Sequence, residues 1–353
     1  MTTGLRGREL GLLGGVAVLT AVTGALEYAG GSDVAVFLVG AAALAGLAWV
    51  VSFATEAIGE RFGPALTGVL QSTLGNLPEL FVVLFALSAG ELVVAQYSIL
   101  GSLFANALLI LGLVIVAGAQ VSADGCFRFK RRLPNDTATL LILAIFIIVL
   151  LALSNYAGDR ASEHQVAISA IGAVVLLVVY AAWLRFYLGS STGEQQRGVS
   201  LRIPLRFSIG LLAVSGVAAA LVSDWFVGAL SPAVEELGIS KEFTGLVIVG
   251  IAGNAVENVV GITLAAKGHS DLAVSVVKNS VAQIAVFLFP VLVLLSLFMS
   301  THLTFVLPGL YVGALFLMAI AVWQVTGDGE AAAFEGLALI GLYAILAVIT
   351  FYE

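Results

Sequence analysis

Eleven apolar stretches dominate this chain, near residues 9–29, 33–54, 64–88, 92–118, 136–154, 164–188, 205–228, 243–266, 271–299, 303–324 and 333–352. Each is close to the roughly 20 residues that a helix needs to cross a bilayer. Backbone in lipid must satisfy its own polar groups, so runs of this length fold as membrane-spanning helices. The expected fold class is an all-α polytopic membrane protein with eleven transmembrane helices. Composition agrees: 60% of residues are hydrophobic and 10% charged, against about a quarter charged in soluble proteins, and the mean hydropathy is +1.10. No small-residue cleavage site ends the first run, which reads as a retained helix.

The single Cys126 excludes an internal disulfide framework, and His164, His269 and His302 are too scattered for a zinc site. No resident cofactor and no nucleic-acid partner are expected. The connections between runs are short except Gln120 to Asn135 and Gly189 to Pro204, the second rich in Gly, Ser and Gln. Orientation follows from the Lys and Arg count. Arg6, Arg8, Arg61, Arg128, Lys130, Arg131, Arg132, Arg185, Arg197, Arg202, Arg206 and Lys267 fall on the amino-terminal side, and only Arg160 and Lys241 on the other. The amino terminus is therefore expected in the cytoplasm and, after eleven spans, the carboxyl terminus outside.

Shifted by 178 residues, Gly75-Asn76-Leu77-Pro78-Glu79 falls on Gly253-Asn254-Ala255-Val256-Glu257, and Ser102 falls on Ser280 without a gap. The expected organisation is an amino-terminal helix (1–32), a first five-helix unit (33–188), a cytoplasmic linker (189–204) and a second unit (205–353). Five is odd, so the second unit enters the membrane inverted. Inverted repeats place substrate at the midplane between them and move by alternating access.

Glu79 and Glu257 lie deep in apolar runs, where a carboxylate costs several kcal/mol and marks a functional site by default. On a continuous helix Gly75, Asn76 and Glu79 share a face, as do Gly253, Asn254 and Glu257. Pro78 and the glycines free carbonyl oxygens, which at this depth are tolerated where an ion or cavity uses them. Hard cations such as calcium favour such oxygen ligands. Ser102 with Asn106, and Asn279 with Gln283, form one-turn polar pairs that would line the same cavity together with Ser280; the plainer reading is that such residues pack membrane helices. Glu56, Glu60, Glu235, Glu236 and Glu242 sit at helix ends and read as a solvated rim. Lys278, inside the ninth run, either snorkels to the cytoplasmic surface or supplies an internal positive charge.

These stretches resemble the calcium/cation proton antiporter family, within the larger superfamily of calcium and cation antiporters. The resemblance is carried by the two Gly-Asn-x-x-Glu repeats, by Ala54-Thr55-Glu56, Gly101-Ser102-Leu103-Phe104-Ala105-Asn106 and Gln283-Ile284-Ala285-Val286-Phe287, and by Asp328-Gly329-Glu330 followed by Phe334-Glu335-Gly336. It covers the chain from about residue 50 onward. It implies eleven helices in two inverted repeats, with Glu79 and Glu257 binding calcium and protons in turn. Asn76, Asn254, Gly75 and Gly253 are implied beside them. Three departures stand out: Asn279-Ser280-Val281 replaces the family's usual Gly-Ser-Ser, Lys278 precedes it, and the 189–204 loop lacks an acidic helix.

The expected function is thus a secondary antiporter, not an enzyme, exchanging calcium or a related divalent cation for protons. It is expected in the plasma membrane of a prokaryote, with the lipid bilayer as its setting and homo-oligomerisation left open. A sodium/calcium exchanger is the alternative, but its repeats carry hydroxyl pairs where Asn76 and Asn254 stand. A cation channel needs a continuous pore, usually ringed by several subunits.

Overall fold

The computed structural model describes residues 5–59, 74–190 and 203–353. Residues 64–73 of the third expected span, most of the 189–204 linker, and Arg61, Arg197 and Arg202 lie outside the described residues. The described chain is helical. Its helices are α1 (Gly7–Tyr28), α2 (Asp33–Gly59), α3 (Leu77–Ser88), α4 (Leu92–Val121), α5 (Arg132–Ala157), α6 (Gln165–Ser190), α7 (Leu205–Leu237), α8 (Lys241–Gly253), α9 (Ala255–Ala266), α10 (Ser270–Ser296), α11 (Gly309–Thr326) and α12 (Ala333–Phe351). Nine of these are long and apolar enough to cross a membrane, and α8 with α9 makes a tenth, bent by 55° at the break.

Several boundaries differ from the hydropathy reading. The eighth expected span, 243–266, is α8 and α9 divided at Asn254. The tenth begins at Gly309 and not at 303, because Pro308 starts the helix with φ −58° and ψ 136°, an extended conformation that proline favours. The seventh runs on to Leu237 through Pro232, ending on Gly238 at φ +65°, where a glycine accepts the left-handed turn that closes a helix.

The loop expected between Gln120 and Asn135 is shortened at both ends by helix and holds a three-residue strand. β1 (Cys126–Arg128) pairs antiparallel with β2 (Glu330–Ala332) in the register Phe127 to Ala331. This short ribbon ties the α4–α5 connection to the α11–α12 connection. Phe127 is buried, and a Cβ on Gly118 would come 2.1 Å from its ring, so a bare backbone in α4 makes the seat for the ring. The outer pairs Arg128 with Asp124 and Glu330, and Lys130 with Asp271, are about half exposed or more.

Small residues set the tight helix contacts, as expected in lipid, where close backbone approach replaces hydrophobic drive. A Cβ on Gly101 of α4 would lie 2.3 Å from the Leu246 carbonyl of α8, and Gly112 meets Gly336 of α12 in the same way. Elsewhere α2 lies along α7, with Phe37 stacked on Phe226 at 5.0 Å. Among the described residues three spans contain a wider, π-helical turn: Ala105–Ile110 in α4, Thr244–Val249 in α8 and Ile284–Leu288 in α10.

Candidate functional site

Glu79 and Glu257 each lie in the first turn of a helix that begins just after the motif asparagine. Asn76 precedes α3, and Asn254 separates α8 from α9. The Gly-Asn-x-x-Glu residues therefore do not share a face of one continuous helix, which corrects the sequence expectation. Pro78, near the start of α3, cannot donate a backbone hydrogen bond and suits a helix start. The second copy has no proline, and its break falls at Asn254, next to Gly253.

The break gives Glu79 a hydrogen-bond partner from the other half of the chain. Glu79 is 3% exposed and Glu257 7%. Glu79 Oε1 accepts the Ser102 hydroxyl of α4 and the Asn254 amide at 2.9 Å. The same Asn254 Nδ2 donates to the Gly250 carbonyl at 2.7 Å, and its Oδ1 accepts from Asn106 Nδ2. Asn106 in turn donates to the Ser102 carbonyl at 3.1 Å. Ser102, Glu79, Asn254 and Asn106 thus form one closed polar circuit across the two halves. The glycines complete the exchange: a Cβ on Gly253 would stand 2.7 Å from Glu79 Cγ, and one on Gly75 would stand 3.5 Å from Glu257 Oε1.

Among the described residues, Glu79 Oε2 and Asn106 Oδ1 are buried without a hydrogen-bond partner, as is the Asn76 amide nitrogen. Burying a carboxylate oxygen with nothing to neutralise it is expensive, so an ion or a proton is the natural occupant. Among the described residues no group of three or more His, Cys, Asp and Glu gathers. The donor set is carboxylate, amide, hydroxyl and carbonyl oxygen, which suits hard cations and not zinc.

The α10 residues are placed differently. Asn279, Ser280 and Gln283 are buried, and Asn279 reaches Tyr187 of α6. Ser280 Oγ, Asn279 Oδ1 and Gln283 Oε1 make no hydrogen bond among the described residues. They are polar atoms kept in the interior, but they do not join the Glu79 circuit as Ser102 and Asn106 do. Lys278 is 2% exposed, and its ammonium stops 3.4 Å from the Thr326 hydroxyl, in the last residue of α11. It extends toward the ribbon end, as snorkelling requires, yet remains inside the protein at a helix C-terminus, where a cation is favoured.

The comparisons with known proteins fit this geometry. The family model described as "Sodium/calcium exchanger protein" matches residues 32–189 and 207–352, both halves that carry the motif. The vacuolar calcium ion transporter of Schizosaccharomyces pombe is 36% identical over 90% of this chain and 79% of its own length. The Ca2+/H+ antiporter ChaA of Bacillus subtilis is 31% identical over 86% of this chain and 88% of its own. Among solved structures, native YfkE superimposes with a TM-score of 0.80 at 26% identity, covering 96% of this chain and 100% of that one. Matched across both motif-bearing halves, the chain belongs to the sodium/calcium exchanger protein family.

Proposed function

We infer that this chain is a secondary antiporter that exchanges calcium for protons by alternating access. The observation that carries the reading is the cross-half circuit on Glu79: one carboxylate oxygen is held by Ser102 and Asn254 while the other is buried with no partner among the described residues. Two enclosed glutamates cannot both stay ionised and empty, so they share a divalent cation or take up protons. Either load neutralises the site and lets it cross. The Ca2+/H+ antiporters and the vacuolar calcium transporter among its relatives support the same exchange for this chain.

In this reading the ion is held by Glu79 and Glu257, with Asn76, Asn254 and the carbonyls of Gly75 and Gly253 beside them, and Ser102, Asn106, Ser280 and Gln283 line the cavity. Glu79 and Glu257 carry the protons. No resident cofactor is needed. The chain has eleven spans: an amino-terminal helix (1–32) and two inverted five-helix repeats (33–188 and 205–353) joined by a cytoplasmic linker (189–204). Its amino terminus is cytoplasmic and its carboxyl terminus outside, in the plasma membrane of a prokaryote. The placement of α4–α5 and α11–α12 at one end, joined by β1 and β2, supports this parity, because both connections fall on the cytoplasmic side.

The test is calcium uptake into acid-loaded inverted vesicles without sodium. Uptake with alkalinisation of the lumen, both lost on adding a protonophore, is expected. Uptake driven by a sodium gradient with the proton gradient collapsed would overturn proton coupling.

A further inference from the structure

A second polar cluster stands away from the glutamates, at the end of the molecule opposite the ribbon. Glu91 immediately precedes α4 and receives Lys241 Nζ, from the first turn of α8, on both oxygens at 2.8 and 2.7 Å. Its Oε1 also accepts the Ser231 hydroxyl of α7 at 2.7 Å. The Glu91 and Lys241 side chains are 23% and 34% exposed, far more enclosed than the Arg128 and Lys130 pairs. Burial pushes the Glu91 carboxyl up, but the hydrogen bonds from Lys241 and Ser231 and the Lys241 charge outweigh it and hold the group below its ordinary value.

The three partners belong to two packing units. α4 and α8 are fused by the Gly101 contact with the Leu246 backbone, and these two helices carry Ser102, Asn106 and, just past the end of α8, Asn254. α7 runs along α2 instead. A narrow cavity lies between the units, lined by Ala41 and Leu44 of α2, Phe226 of α7, Ile248 of α8 and Glu79 itself. Ala41 and Leu44 lie in the first half of α2, and Glu79 lies in α3, which ends at Ser88 just before Glu91. Phe226 precedes Ser231 by five residues, about 7.5 Å along α7, so the Ser231 hydrogen bond holds the helix segment that walls this cavity.

We propose that Glu91, Ser231 and Lys241 are the latch on one of the two entrances to the ion site. Lys241 fixes Glu91 to the α4–α8 unit, and the Ser231 hydrogen bond pins α7 across the cavity, closing Glu79 off from water at that end. Release of Ser231 frees α7, with α2 and Phe37 stacked on Phe226, to move away from the α4–α8 unit. Glu91 is a positioning residue here and contacts no ion. The proposal rests on the alternating-access reading and assigns the residues that hold one of its doors.

The test needs no turnover, so its failure is separable from failure of antiport. With Cys126→Ser removing the native thiol, Ala41→Cys reports opening of the cavity to a charged, membrane-impermeant methanethiosulfonate added to each face of reconstituted vesicles in turn. Ala119→Cys, buried in α4 near the ribbon, reports general loosening. Ser231→Ala is expected to raise the labelling rate at Ala41→Cys by about fivefold, the change in an open-to-closed ratio when one ordinary hydrogen bond is lost. The increase is expected from one face only, with Ala119→Cys unchanged. Lys241→Gln should act in the same direction, and the charge exchange Glu91→Lys with Lys241→Glu should return the rate toward its starting value. An unchanged rate in Ser231→Ala, or an equal rise at both reporters, overturns the latch.

Discussion

Glu79 and Gly253 stand 174 positions apart in the chain, yet a single added methyl on Gly253 would lie 2.7 Å from Glu79 Cγ and 3.1 Å from its Oε1. The carboxylate is seated on bare backbone of the opposite half. Gly253→Ala must therefore displace Glu79 from Ser102 and Asn254. The equivalent Gly75→Ala brings its methyl only to 3.5 Å from Glu257 Oε1, an ordinary contact. Calcium exchange in vesicles is expected to fall by about tenfold or more in Gly253→Ala, equivalent to some 1.4 kcal/mol, and to change little in Gly75→Ala. Equal effects would mean that the close seat does not position the carboxylate.

Glu79→Gln and Glu257→Gln keep the shape of the side chain and remove its titratable charge. Each is expected to abolish exchange while leaving a folded protein in the membrane. Transport assays beside size-exclusion profiles in detergent check this, and normal calcium transport by either variant would sink the two-carboxylate mechanism.

Lys278 tests how an enclosed cation is tolerated. Among the described residues its ammonium makes one long contact, 3.4 Å to Thr326, so methionine of similar reach removes a buried charge without opening a cavity. Such replacements are often neutral or stabilising. Lys278→Met is expected to leave the pH dependence of exchange where it was and to preserve or raise the thermal midpoint. A shift of the pH optimum by about one unit, worth some 1.4 kcal/mol of altered interaction, would instead make Lys278 a counter-charge to the glutamates.

The ribbon provides a stability test away from the ions. Phe127 is 2% exposed and seated on Gly118, so Phe127→Ala should destabilise by about 3–5 kcal/mol. Arg128→Ala removes two exposed ion pairs and should leave the midpoint almost unchanged. Thermal unfolding in detergent separates the two, and similar losses would place the ribbon's strength in its charges.

Hydropathy alone located most spans, because lipid imposes one period and one length on any helix that crosses it. The motif glutamates were equally legible, since a buried carboxylate stands out against apolar neighbours. What the spacing misplaced was the partnership. Reading Asn76 with Glu79 assumes an unbroken helix, whereas the break at the motif turns Glu79 toward Asn254 of the other half. The 178-residue offset held the missing signal, because it matches the segment of Glu79 with the segment of Asn254, and these two meet. Glu91 and Lys241 were hidden for another reason: charges at loop ends look alike in sequence, and only the fold shows which two meet.

The wide turns also set which way the polar residues of α4 face. Moved by 178 residues, the turn at Ala105–Ile110 in α4 overlaps the one at Ile284–Leu288 in α10. A π turn closes on i+5 instead of i+4, so it rotates everything beyond it relative to a regular helix. Straightening the turn in α4 would therefore swing Asn106, which lies within it, away from Asn254, while Ser102, one turn earlier, would keep its place against Glu79.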